Sequence, residues 1–212
     1  MNVIVYVEGP SDANAMEALL APLIKEKLRR GIHIKFFGAP TGHKKKSVLL
    51  KVPVRAVNIL RNRPKARVVA LPDLYPPNAG FPHETVEELR EGMQETFRAH
   101  VQEKGLQDAR LGQRFEAFCF KHDLEALVLA AENSLGARLG TDSLPVSWQT
   151  PVEDQNHDKP PKRIVEELFE AHGTRYRGAI DAPLILSRAR YEDIVEQCPQ
   201  GFGPFVEFLE RL

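Results

Sequence analysis

The sequence is short of the features that place a protein quickly. It has two cysteines, Cys119 and Cys198, and a single tryptophan in 212 residues. Two cysteines cannot build a disulfide framework or a cysteine-rich zinc site. Both sit among apolar or aromatic neighbours, so reduced, structural thiols are expected. No apolar stretch approaches the length that spans a bilayer. The first residues enter a strand-like run without the basic region and cleavage site of a secretory signal. A cytoplasmic protein with no membrane partner is therefore expected. Net charge is also missing: lysine plus arginine and aspartate plus glutamate number 29 each, so no global field marks nucleic acid or membrane as the partner. No internal repeat stands out, and no Ser-His-Asp or Cys-His order appears. Cys119, between Phe118 and Phe120, is a poor nucleophile candidate.

What is present is an alternation of strand-like and helix-like segments. "NVIVYV" (2–7) is a short β-branched run of the kind a parallel sheet covers on both faces. It ends on Glu8, and Gly9-Pro10 then turns the chain so that Ser11 or Asp12 caps a helix predicted over 12–29. "IHIKFF" (32–37), "ARVVALPD" (66–73) and "RFEAFCFKHD" (114–123) read as three further strands. Helices are expected at "VLLKVPVRAVNILRN", with Pro53 near its first turn or kinking it, at "PHETVEELREGMQETFRAHVQEKG", and at "LEALVLAAENSL". This βαβαβαβα order predicts a mostly parallel four-stranded sheet flanked by helices over residues 1–135. Residues 136–212 begin with a proline-rich polar loop and continue into "KRIVEELFEAH", "YEDIVEQC" and "GFGPFVEFLERL". They read as a helical extension packed on the core, the whole forming one domain.

Three of the four strands end on acids: Glu8, Asp73, and Asp123 with Glu125. In a parallel sheet those ends share one edge, where open α/β sheets bind ligands. Carboxylates converging there repel one another unless a cation or a shared proton compensates. An all-oxygen ligand set suits magnesium or manganese, and such an ion can clamp phosphate oxygens and activate water. His122, beside these acids, is a candidate ligand, proton shuttle or orienting group. Lys44, Lys45 and Lys46 follow the second strand in "GAPTGHKKKS". That segment lacks the spacing and the Gly-Lys-Ser ending of a P-loop, so the lysines are either a phosphate-contacting loop or a solvated run. Lys162 and Arg163 make a second basic group in "KPPKR". They either face substrate phosphates, or Arg163 pins the tail to the sheet by pairing with an acid such as Glu125.

"VYVEGPSDANAMEALLAPL" resembles the first motif of Toprim domains, in which a glutamate ends a strand ahead of a glycine, and "VVALPDLYPPNAGFP" resembles their acidic second motif. Together with "FKHDLEALVLA" and "PPKRIVEELF…YRGAI…IVEQCP…F…FLERL", these motifs resemble the bacterial Toprim-like family designated domain of unknown function 4276. The resemblance runs from about residue 2 to the end. It implies a Toprim-like fold and a Mg2+- or Mn2+-dependent phosphodiester hydrolase of nuclease type acting on DNA or RNA. Glu8 matches the Toprim glutamate that serves as general acid/base or ligand. Asp73 matches the first aspartate of the Toprim Asp-x-Asp, but Tyr75 stands at the second, so Asp123 or Glu125 would complete the ligand set. Lys162 and Arg163 take on weight from the same resemblance. By association with Toprim families in bacterial antiviral defence, an effector role with an ATPase partner protein is expected, and the sequence leaves room for a homodimer. Two other readings stay open: a catalytically degenerate Toprim acting as a binding or scaffold subunit, and a hydrolase of small phosphoesters.

Overall fold

The computed structural model describes residues 1–40 and 44–212. Four strands, β1 (Asn2–Val7), β2 (His33–Gly38), β3 (Ala66–Ala70) and β4 (Phe115–Ala117), pair in the order β2-β1-β3-β4. Every pairing is parallel, so the α/β sheet expected from the sequence is the one observed. β1 lies inside the sheet, and its consecutive side chains supply two different cores. Val3, Val5 and Val7 face one apolar layer, while Ile4 and Tyr6 face the other. That is why the strand is apolar throughout. The edge strand β2 alternates instead, burying Ile34 and Phe36 while His33, Lys35 and Phe37 stay exposed.

One layer is built from α3 (Lys44–Asn62) and α4 (Val86–Glu103). The other holds α1 (Pro10–Leu19), α2 (Ala21–Arg29), α5 (Glu125–Ala130), α6 (Glu132–Leu139), α7 (Pro161–Ala171), α8 (Gly178–Leu186), α9 (Tyr191–Gln197) and α10 (Phe202–Glu210). The C-terminal helices thus share a continuous apolar cluster with β1 and α1, and α8 packs directly on α1.

Several boundaries differ from the sequence reading. The helix expected over 12–29 is two helices joined at Leu20, with Pro22 in the first turn of the second. The third and fourth strands stop early, and only a single bridge, Asp73 with Phe120, continues their pairing. Pro53 lies well inside α3, because the helix begins at Lys44 rather than after the lysines. Lys44, Lys45 and Lys46 are therefore helical residues, not a loop, while the rest of that expected loop at 41–43 lies outside the described residues. No helix among the described residues is long and apolar enough to cross a membrane.

Candidate active site at the carboxyl edge of the sheet

The parallel strands deliver their acids to one place. Glu8 follows β1, Asp73 follows β3, Asp123 precedes α5, and Glu125 opens it. All four line a single cavity of about 230 Å³, together with Ser11, Asp12, Lys44, Lys162, Gly178 and Ala179. A chain that gathers so many half-buried carboxylates must fix them. Glu8 Oε1 accepts the backbone N–H of Asp73 at 3.2 Å, which ties the ends of β1 and β3 together. Asp12 accepts the N–H of Gly9 at 2.8 Å through Oδ2 and the Ser11 hydroxyl at 3.2 Å through Oδ1. Oδ1 of Asp123 is buried and takes no hydrogen-bond partner among the described residues.

The electrostatics follow from this crowding. Burial raises the pKa of Glu8, partly offset by the Asp73 N–H and Lys45. Burial also raises Asp12 and Glu125, with Lys162 opposing both. Asp73 is pushed well above the usual carboxylate range, first by burial and then by the charges of Glu8, Asp123, Asp12 and Glu125. Asp123 rises to about 7, through burial and then the charge of Glu125. These shifts mark a site short of positive charge.

The basic residues divide. Lys44 and Lys162 line the cavity. Lys45 does not reach a surface: it is buried and donates to the carbonyl oxygens of Leu74 and Pro76, holding the loop after β3. Its helical register turns it inward between exposed Lys44 and Lys46, which removes it from the candidate phosphate contacts. Arg163 pairs with Glu167 on its own helix at 3.2 Å, not with Glu125, since one turn separates them on the exposed face. Tyr75 and His122 sit outside the cavity lining. Their rings stack at 5.8 Å, and His157 packs edge-on against Tyr75 at 3.9 Å. His122 is buried, and burial followed by the neighbouring His157 lowers its pKa. Cys119 is likewise buried, which pushes its thiol up to about 12 and suits it to packing rather than attack.

Three contributors escaped the sequence reading. Asp12 was assigned only a capping role, and its carboxylate does bond Gly9, but it also lines the cavity. Gly178 and Ala179, at the start of α8, close the cavity from the C-terminal region. The only sequence signal for them was the "YRGAI" segment of the family resemblance.

As the side chains stand, no three of His, Cys, Asp or Glu among the described residues form a ready metal site. Magnesium asks for less: it keeps several waters and is commonly bound by one or two carboxylates plus substrate phosphates. An all-oxygen donor set, an unpartnered Asp123 Oδ1 and carboxylates whose pKa values burial and mutual repulsion raise fit such an ion.

Fold and crevice together define an α/β protein with an acidic cavity at the carboxyl edge of a parallel sheet. A family model described as domain of unknown function (DUF4276) matches residues 7–210, and the chain belongs to that family. No curated protein and no solved structure matches the chain.

Proposed function

We propose that this protein is a magnesium- or manganese-dependent phosphodiester hydrolase, of the nuclease type, working at the acidic cavity. The observation that carries the reading is the convergence of Glu8, Asp73, Asp123 and Glu125 on one cavity that also presents Lys44 and Lys162. The resemblance of the first two acidic motifs to Toprim enzymes supports it independently. Glu8, Asp73, Asp123 and Glu125 would hold the ion, which when bound neutralises the carboxylates and polarises a phosphoryl oxygen. Lys44 and Lys162 orient the phosphate by charge. Glu8 is held in place by the Asp73 N–H, which leaves its second oxygen to face the ion or to exchange a proton with water. A cavity of about 230 Å³ and the inward turn of Lys45 favour, as a second reading, a small phosphoester over a long nucleic-acid track.

Turnover on plasmid, single-stranded DNA and RNA, and bis(p-nitrophenyl) phosphate, each with Mg2+ or Mn2+, tests the proposal. Metal-dependent hydrolysis is expected with the wild type, falling about 100-fold or more in Glu8→Gln and Asp73→Asn. Hydrolysis that survives both substitutions, or that ignores metal, contradicts it.

A further inference from the structure

We infer that the face formed by α3 and the edge strand β2 binds single-stranded nucleic acid and leads it to the acidic cavity. The inference rests on reading that cavity as a phosphodiester-cleaving site and adds the substrate delivered to it. At about 230 Å³ the cavity has room for a phosphoryl group rather than a strand, so a nucleic acid must be held outside it. The neutral total hides where the charge lies. From Lys27 to Pro72 the chain has 13 lysines and arginines and not one aspartate or glutamate. Lys27 and Lys45 are buried, and Arg30 and Arg67 pair with Glu26 and Glu116. Lys35, Lys44, Arg55, Arg61, Arg63 and Lys65 are exposed. α3, about 28 Å long at 1.5 Å per residue, has no acid along its length. Such a one-signed face suits a polyanion.

Its shape and its aromatic residues narrow the choice. By register Lys35 lies beside Ile4 and Phe37 beside Tyr6, on the α3 side of the sheet. Lys35 and Phe37 are nevertheless exposed, because α3 does not cover the edge strand. The gap is a groove of about 570 Å³ whose lining includes Tyr6, Phe37, Gly38, Arg55, Asn58 and Arg63, and no acid among the described residues. Phe37 is 43% exposed, and its ring centre lies 5.9 Å from that of Tyr6. The Arg55 guanidinium lies 5.6 Å from the Tyr6 ring centre. Neither Arg55 nor Arg63 pairs with a carboxylate among the described residues. An exposed aromatic offers a base its flat face, and guanidinium groups beside it meet the phosphates. The groove also adjoins the cavity. A Cβ on Gly38 would lie 3.1 Å from the Gly9 carbonyl carbon, and one on Gly9 would lie 3.7 Å from Nζ of Lys44, which lines the cavity. A second copy of the chain fits this face poorly, because a two-fold contact sets like charges together. An acidic polypeptide meets the charge but brings no bases to stack on Phe37.

Fluorescence anisotropy with labelled oligothymidylate and oligouridylate of about 20 nucleotides, in EDTA so that nothing is cut, tests the track. Wild type, Arg55→Gln/Arg63→Gln and Phe37→Ala are compared over a series of NaCl concentrations. All three side chains are exposed; circular dichroism melting checks the folds, and if one variant does not fold, the other decides. The wild type is expected to bind at least one of the strands. The double variant is expected to bind about tenfold more weakly and to lower the salt slope by about 1.4, for two lost phosphate contacts. Phe37→Ala is expected to weaken binding about fivefold or more with the salt slope unchanged. The track is overturned if neither strand binds, or if either folded variant binds as the wild type does. Poly-L-glutamate bound as tightly as the strands overturns it too, and so does duplex DNA bound more tightly than they are. Metal-dependent hydrolysis of bis(p-nitrophenyl) phosphate without strand binding overturns the track and upholds the hydrolase. Variant-sensitive strand binding without hydrolysis of any substrate upholds the track and overturns the hydrolase.

Discussion

Asp123 shows how a single carboxylate records the purpose of its surroundings. An aspartate free in solution titrates near 3.8, whereas burial and Glu125 carry this one to about 7. The folded protein therefore holds a proton that the unfolded chain releases. The stability this contributes is complete below the unfolded value and is lost as pH rises through about 7. Asp123→Asn is accordingly expected to raise the melting temperature by about 5 °C at pH near 8 in chelator-treated buffer, and to change it little near pH 4. A variant less stable than wild type at pH near 8 would show that Asp123 ionises without cost. At this scale the convergence of the four acids was legible in the sequence, because Glu8, Asp73 and Asp123 close segments that read as parallel strands, with Glu125 just beyond, and parallel strands share an edge. Asp12 was not, because a capping carboxylate and a cavity carboxylate look alike in a helix start. Nor was the division of Lys44 from Lys45, which depends on where α3 begins, and a run of lysines does not reveal that.

Elements repeat the lesson with different physics. The strands were readable because β-branched, all-apolar runs suit a sheet covered twice, and β2 betrayed its edge position by alternating. The breaks between α1 and α2 and between α5 and α6 were not readable, since apolar residues continue across both. α8 was missed because Gly178 opens it and Pro183 lies within it, residues that signal turns in isolation. Tertiary packing on α1 overrides that local preference. The proline-rich segment looked like plain loop, yet it supplies Glu153, which is 2% exposed and caps α10 from a distance in sequence. Its carboxylate accepts the N–H groups of Gln200, Gly201 and Phe202, at 2.7 Å for Gly201. Gly201 is required there, because a Cβ would come within 2.5 Å of the Cys119 carbonyl oxygen. Glu153→Ala leaves three donors without their acceptor, those of Gly201 and Phe202 buried, so a loss of about 3 kcal/mol, or roughly 10 °C in melting temperature, is expected in denaturant or thermal unfolding. A loss below about 1 kcal/mol would mean that water replaces the cap.

Across the whole molecule, two apolar layers clasp one sheet, and the C-terminal helices cover the edge where the acids meet. The chain thus spends stability to assemble carboxylates that repel. An ion that binds only the folded state returns it, by an amount that grows with concentration over Kd. Magnesium is therefore expected to raise the melting temperature at pH near 7.5, by roughly 3 °C or more at saturation, and less near pH 5.5, where the crowded acids keep their protons. Equal shifts at both pH values would place the ion elsewhere. The most direct check is calorimetric titration of Mn2+ into metal-free wild type, Glu8→Gln and Asp73→Asn at neutral pH. Saturable binding to the wild type that weakens at least about tenfold in both variants is expected of two ligand carboxylates. A wild type that takes up no ion, or variants that bind it undiminished, would contradict a metal centre at the sheet edge and leave the acids as a cluster without a cation.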